Sequence, residues 1–262
     1  LTVKAKKHLG QHFLNDENIA SKIVEALEVD VQDFVLEVGP GMGVLTKYLL
    51  NKNSEIFVAE IDVESIAYLK EHYPKLEEKH FVGDFLKANL TEIFNSEQVS
   101  VIGNFPYNIS SQILFKIIDN YAQIPEMVGM FQKEVAERTS AEPRTKSYGI
   151  LSVMVQAYYD VKYLFTVSEN VFTPPPKVKS GVIRLTRNPK KGLEGNEVLF
   201  KQIVKAGFNQ RRKKLSNALK GLNIPEALLT HNFLTLRAEE LSVEDFIIFT
   251  IEWKNALKSS AV

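Results

Sequence analysis

None of the 262 residues is a cysteine. That excludes disulfides and thiolate metal sites. No run approaches the ~20 consecutive apolar residues of a membrane-spanning helix. The basic N-terminal stretch has no apolar core of the kind that marks a secretory signal, so a cytoplasmic protein with no membrane partner is expected. The five histidines form no recognisable metal constellation, so no metal is expected. Net charge is absent too, with 32 Lys and Arg against 32 Asp and Glu. There is no internal repeat and no low-complexity tract. Nor is there a long unpartnered apolar surface pattern, so a monomer is the default. What remains is ordinary globular composition, 45% apolar and 24% charged, in a chain long enough for one large core and a small second unit.

The most informative run is Asn104-Phe105-Pro106-Tyr107, directly after the buried-strand pattern Val101-Ile102-Gly103. The Asn104 side-chain oxygen and a backbone carbonyl beside it, that of Phe105, can both accept from one exocyclic amine. Pro106 stiffens the turn, and the Tyr107 ring can stack on a planar base. Two acceptors aimed at one amino group favour its attack on an electrophile, which is the chemistry of methylating adenine at N6. The motif alone is weak, because Asn-x-Pro also makes an ordinary turn.

Upstream, the strand Val35–Val38 runs into Gly39-Pro40-Gly41-Met42-Gly43, and apolar residues then follow at helical spacing. Glycines allow close backbone approach to a ligand. A second strand, Ile56–Ala59, ends in Glu60-Ile61-Asp62, about 20 residues past the glycines, where an acid suits ribose hydroxyls. A third strand region, 80–83, ends in Asp84-Phe85, where Asp84 could read an adenine amino group. The glycine turn is one residue short of G-x-G-x-x-G. Alone it leaves a nicotinamide oxidoreductase and a methyltransferase close to even; Asp84 and Asn104 favour S-adenosylmethionine. Glu60 and Asp84 also have the plain reading of solvated strand-end carboxylates.

These motifs recur with others in order: Lys6-Lys7-His8-Leu9-Gly10-Gln11-His12-Phe13-Leu14 before them, then Gln132–Arg138, Tyr148–Val153, Phe172-Thr173-Pro174-Pro175-Pro176-Lys177-Val178 and Phe208–Lys213 after. In this the chain resembles the rRNA adenine N6,N6-dimethyltransferases, and within them the bacterial small-subunit branch, over about residues 4–220. The resemblance implies an α/β fold: a Rossmann-like class I methyltransferase sheet of seven, mostly parallel strands with a small C-terminal helical domain. It implies transfer of four methyl groups from S-adenosylmethionine to two adjacent adenosines in a hairpin loop near the 3′ end of 16S rRNA, and a late role in small-subunit assembly. It implies cofactor contacts from His12, Leu14, Gly39, Gly41, Glu60, Ile61, Asp84, Phe85 and Asn104. It implies a catalytic turn of Asn104, Phe105, Pro106 and Tyr107, with Phe172 either a second stacking ring or a core anchor. Two residues depart from the family pattern. His12 stands where Asn is usual, which could make cofactor affinity pH-dependent. Phe105 stands where Leu is usual, which is tolerable if only its carbonyl is used.

The neutral total hides an uneven charge distribution. Lys4, Lys6 and Lys7 lie in an acid-free arm. No acid falls between Lys177 and Lys191, a stretch holding Lys179, Arg184, Arg187 and Lys190, or between Lys201 and Lys220. Single charge runs are as often solvated faces. Beside a base-binding motif, Lys4, Lys6, Lys7, Arg211, Arg212, Lys213 and Lys214 are candidate phosphate contacts.

Asp16 is placed to cap a first helix. Strands and helices then alternate to about residue 138. Ser140–Ser147 reads as an exposed loop, 149–157 as a helix, and 158–167 with 179–186 as strands that finish the sheet antiparallel. The boundary is expected at 188–196. This gives a catalytic domain over 1–187 and a helical RNA-binding domain over 188–262, whose last helix opens at Ser242 with Asp245 as reciprocal cap. A resistance-type methyltransferase of large-subunit rRNA and a non-catalytic assembly factor are the competing readings.

Overall fold

A computed structural model describes residues 3–28, 34–189, 193 and 195–259. Lys190, Lys191 and part of the expected 188–196 boundary lie outside these residues. A 3-10 turn (Lys7–Leu9) precedes a two-residue strand, β1 (Phe13–Leu14), and helix α1 (Glu17–Glu25). The Asp16 carboxylate accepts the Ile19 amide at 3.0 Å, satisfying one of the free donors at the start of α1. Next come β2 (Phe34–Val38), α2 (Thr46–Leu49), β3 (Glu55–Ala59), α3 (Val63–His72), α4 (Leu90–Ile93), β4 (Val99–Asn104), α5 (Ser110–Asp119), β5 (Glu126–Gln132) and α6 (Lys133–Thr139). They are followed by α7 (Ile150–Gln156), β6 (Tyr159–Val167), β7 (Phe172–Thr173), β8 (Ser180–Arg187), α8 (Glu197–Asn209), α9 (Leu215–Ala218) and α10 (Val243–Ser259).

The main sheet has the order β3-β2-β4-β5-β8-β6. β2 is parallel to β3 and β4, and β4 to β5, while β8 runs antiparallel to β5. β2, β4 and β5 are buried almost throughout, as strands covered on both faces must be. Among the described residues the sheet therefore has six strands rather than the expected seven. Segment 80–83 contributes one parallel bridge, Phe81 to Val58. A 3-10 turn (Glu78–His80) ends just before it, and Gly83, at φ +77°, turns the chain away just after.

Sequence order reverses between β2 and β4, so their carboxyl ends flank the crevice where α/β sheets bind ligands. A second pairing was not legible in the sequence: β1 runs antiparallel to β7, with Leu14 opposite Phe172. Both residues sit in the core cluster with Ile23, Val24, Ile102 and Val128.

The chain divides into two compact units, Leu1–Glu137 with Asp160–Arg187, and Arg138–Tyr159 with Asn188–Val262. The second unit thus takes in 138–159, which the sequence reading put with the first. Tyr148 explains this. It is fully buried, its hydroxyl donates to the Leu241 carbonyl at 2.9 Å, and its ring meets Phe208 edge-on. α8 buries Phe200, Ile203 and Val204, and α10 buries Phe246, Ile247, Phe249 and Trp253. α10 begins with the reciprocal cap: the Ser242 amide donates to Asp245 Oδ2 at 2.8 Å and the Asp245 amide to Ser242 Oγ at 3.0 Å.

Candidate active site

At the end of β2, Gly39 and Gly41 adopt φ +72° and +55°, a region side chains disfavour. A Cβ on Gly41 would stand 2.8 Å from Phe13 Cε1, so the N-terminal arm lies directly on this turn. The Gly41 amide donates to Glu60 Oε2 at 3.2 Å, and the Ile61 and Asp62 amides donate to Glu60 Oε1 at 2.8 and 2.9 Å. Three backbone donors therefore fix a buried carboxylate at the end of β3. Beside it Ile61 is 55% exposed, an apolar surface left at the cleft margin.

The cleft is walled by the arm from Leu9 to Leu14, the glycine turn, Glu60, Ile61 and the turn from Asn104 to Ile109, with Glu37 in the wall beneath. It brings together His12, Leu14, Gly39, Gly41, Glu60, Ile61, Asn104, Phe105, Pro106 and Tyr107. Asp84 and Phe85 are not among its walls. Phe85 is core, and the Asp84 carboxylate accepts the Leu86 amide at 3.0 Å with Lys87 Nζ at 3.4 Å. Glu37, Gln11 and Met42 also line the cleft and were not singled out as site residues; the signals for Glu37 were an acid inside an apolar strand and its place just before the glycine turn.

The Asn104 side-chain nitrogen donates to the His12 carbonyl at 2.9 Å. A carbonyl can only accept, so this contact fixes which end of the amide is NH2 and leaves Oδ1 as the acceptor. Phe105 is buried; its ring lies 4.9 Å from that of Phe131, and a Cβ at Gly103 or Gly129 would run into it. Its amide donates to the Met130 carbonyl at 3.1 Å, and among the described residues no group donates to its own carbonyl. The Phe105 side chain is thus an anchor that holds the backbone.

The Tyr107 hydroxyl is 2.5 Å from Ser180 Oγ, and burial raises its pKa above the usual phenol value. Its ring stacks on His12, centroids 5.3 Å apart and planes 29° apart. His12 Nδ1 lies 2.7 Å from the Pro174 carbonyl, so Nδ1 is the donor. A second cavity adjoins the cleft and shares Gly10, Gln11, His12, Tyr107 and Asn108 with it; Ala5, Lys7, Gln132 and the run Pro174–Val178 complete its walls. Phe172 lines neither cavity. It is 3% exposed and packed in the core, which corrects its reading as a stacking ring: pairing with Leu14 turns it inward.

Glu37 and Glu60 are the carboxyls that line the cleft, and no Lys or Arg lines it among the described residues. Burial pushes the Glu37 carboxyl up to about 8, against a hydrogen bond from Thr46 Oγ1 at 2.6 Å, with Glu60 adding to the rise. Burial also raises Glu60, its three backbone donors opposing.

Of the candidate RNA contacts, Lys6 is engaged within the protein. Its ammonium pairs with Asp62, lies 3.2 Å from Glu64, and shares Asp62 with Gln11 Nε2, fastening the arm. Arg211 is engaged too, by Glu239 and the Thr145 and Lys146 carbonyls. Lys4, Lys7, Arg212, Lys213 and Lys214 are exposed. Among the described residues, no group of three or more His, Cys, Asp or Glu could hold a metal ion, and no helix is long and apolar enough to cross a membrane.

A mostly parallel sheet with a glycine turn after one strand, acids at the end of the next and a ligand cleft at the switch point defines a class I methyltransferase. The solved structures it resembles include a dimethyladenosine transferase from Plasmodium falciparum (TM-score 0.82, 25% identity, covering 94% of this chain and 98% of that one). Another is the 23S rRNA methyltransferase ErmE (TM-score 0.65, 27% identity, 90% and 98% covered). Residues 2–251 match the model of the ribosomal RNA adenine dimethylase family. Two relatives named ribosomal RNA small subunit methyltransferase A are 56% and 57% identical, from Flavobacterium johnsoniae (95% of each chain) and Cytophaga hutchinsonii (95% of this chain, 96% of the relative). The chain belongs to the ribosomal RNA adenine dimethylase family, enzymes that use S-adenosylmethionine to methylate adenosine N6 in rRNA.

Proposed function

We propose that this chain dimethylates N6 of two adjacent adenosines in the 3′-terminal hairpin loop of 16S rRNA, acting as a cytoplasmic monomer during small-subunit biogenesis. The observation that carries the reading is the oriented Asn104 amide where the two cavities meet. The small-subunit names of the relatives favour 16S rRNA over large-subunit rRNA.

The cleft fits S-adenosylmethionine. Exposed Ile61 offers an apolar face for adenine, Glu60 acceptors for ribose hydroxyls, and Glu37 a buried carboxyl that a bound cation would favour in its ionised form. When bound, the cofactor supplies a methyl group already activated toward nucleophiles. The protein's part is alignment. The target adenosine leaves its stack and enters beside Tyr107 through the second cavity. In the first transfer Asn104 Oδ1 and the Phe105 carbonyl accept the two N6 hydrogens and point the nitrogen lone pair at the cofactor side; in the second, one of them accepts the single hydrogen that remains. Neither group takes a proton. The proton lost from the methylated amine passes to water, so no general base is needed before attack. Exposed Lys4, Lys7, Arg212, Lys213 and Lys214 contact rRNA phosphates, the last three from the second unit.

The test is methyl transfer from labelled S-adenosylmethionine to small subunits lacking the modification, with mass mapping and with large subunits run in parallel. Two dimethyladenosines in the 16S hairpin are expected; label in large-subunit RNA would overturn the substrate. Asn104→Ala should lose transfer while subunit binding is kept. Loss of both in a folded protein would contradict the role given to Asn104.

A further inference from the structure

Ser180 opens β8 and is fully buried. Its backbone has little room to shift. It stands opposite Gln132, the last residue of β5, and one step beyond them the Lys133 amide donates to the Lys179 carbonyl at 2.9 Å. On the other side, a Cβ on Gly181 would stand 2.8 Å from both Ala136 Cβ and the Tyr163 hydroxyl. In a strand held this way the pleat fixes where the side chain points. A buried hydroxyl left without a partner is costly. The partner of Ser180 Oγ is the Tyr107 hydroxyl, 2.5 Å away and 73 residues distant in sequence.

Two contacts hold the Tyr107 ring, and they restrain different motions. The hydroxyl lies on the axis that runs from Cβ through the ring. Its bond to Ser180 therefore sets where the ring points but leaves rotation about that axis free. His12 limits that rotation, stacked on one face with centroids 5.3 Å apart and planes 29° apart. His12 is itself held, because its Nδ1 donates to the Pro174 carbonyl at 2.7 Å. Pro106, at φ −57°, stiffens the backbone just before the ring. One face of Tyr107 is therefore taken, and the opposite face is left for a planar base.

We infer that Ser180 is a positioning residue for methyl transfer: through the Tyr107 hydroxyl it holds the ring on which the target adenine stacks, so that N6 meets Asn104 Oδ1 and the Phe105 carbonyl. The inference rests on the adenosine reading above and adds what keeps its stacking ring in place. Ser180 lines neither cavity, so it acts through Tyr107. Asn104 and Tyr107 share one turn, and a ring that swings moves the base relative to the amide that must receive its amine. A misplacement of ~1 Å at a reacting centre can cost about a hundredfold in rate. A phenylalanine at 107 would stack as well as tyrosine but could not be tethered, so stacking alone does not account for the hydroxyl.

The test is a double-variant cycle on methyl transfer to small subunits lacking the modification, with saturating S-adenosylmethionine. Single-turnover rate and subunit affinity are measured separately. Ser180→Ala and Tyr107→Phe should each lower the rate roughly tenfold, with subunit and cofactor affinities little changed. The double variant should be no slower than either alone, because both remove the same bond. Tyr107→Ala, which removes the stacking ring as well, should be slower still. A serine that only stabilised the fold would lower the thermal midpoint and leave the rate intact below it. A wild-type rate in folded Ser180→Ala, or losses that multiply in the double variant, would overturn the inference while leaving the adenosine reading in place. Full activity in Tyr107→Ala would overturn the stacking role and the inference with it. If the wild-type protein methylates large-subunit RNA instead, the proposed substrate fails, and the same cycle on that RNA still decides Ser180.

Discussion

Replacing Glu37 with glutamine should make the cofactor-free protein more stable and the enzyme worse. Glu37 is 1% exposed, and its carboxyl sits at about 8 against an ordinary 4.5. Between those values the unfolded chain has released a proton that the folded chain keeps. Stability therefore falls as pH rises through this window and levels off above it. At ~1.4 kcal/mol per pH unit, the cost at pH 7 is about 3 kcal/mol as an upper limit, since any water reaching the group reduces it. Glutamine has nearly the same shape, still accepts from Thr46, and never ionises. Urea unfolding of Glu37→Gln should show a gain approaching that figure at pH 7–8 and little at pH 5. The variant should also have a flatter pH dependence. The same variant should bind S-adenosylmethionine more weakly, because a cation in the cleft favours the ionised carboxylate that glutamine cannot supply. In the wild type, affinity should rise with pH toward 8 as the proton to be displaced becomes easier to lose. An identical pH slope of stability in variant and wild type would refute the assignment of a buried, protonated Glu37.

Other consequences are direct. Phe172→Ala should cost about 3–5 kcal/mol of stability by opening a core cavity; because the ring lines neither cavity, kcat measured below the lowered melting point should stay within a few-fold of wild type. Gly41→Ala should weaken S-adenosylmethionine binding at least tenfold by calorimetry, since its Cβ would press on Phe13 and the residue would hold a strained φ. Phe105→Leu should keep most methyl transfer, because the carbonyl is used and the side chain only packs, whereas Gly129→Ala should unfold or inactivate the protein by driving into that ring.

What the sequence made legible was local. The glycine turn, Glu60, Asn104 and Tyr107 each follow a strand, and a parallel sheet sets strand ends side by side without further information. The Asp16 and Ser242 caps were legible because the partner lies three residues away. Long-range partnerships were hidden. Lys6 and Arg211 counted as available cations because sequence shows charges, not the Asp62 and Glu239 that consume them. Phe172 looked like a possible base-stacking ring because nothing local foretells its pairing with Leu14. The polar run 140–147 suggested a free loop, yet Tyr148 at its end is buried against the Leu241 carbonyl and draws the segment into the second unit.

The same long-range contacts explain why the catalytic turn holds one arrangement. Asn104 can present its oxygen only while the His12 carbonyl holds its nitrogen. His12 is held in turn by the Pro174 carbonyl through its ring and by β1 pairing with β7 just beyond it. Nearer the N-terminus, Lys6 and Gln11 fasten the arm to Asp62, two residues from Glu60. The arm is thus tied at both ends of the cleft, and its middle walls both cavities. An arm released from Asp62 would leave Asn104 free to flip its amide and turn a donor toward an amine that needs an acceptor. Asp62→Asn should therefore lower kcat for methyl transfer as well as cofactor affinity, although Asp62 lines neither cavity. A variant that changed affinity alone would show that the Asn104 amide is held without the arm.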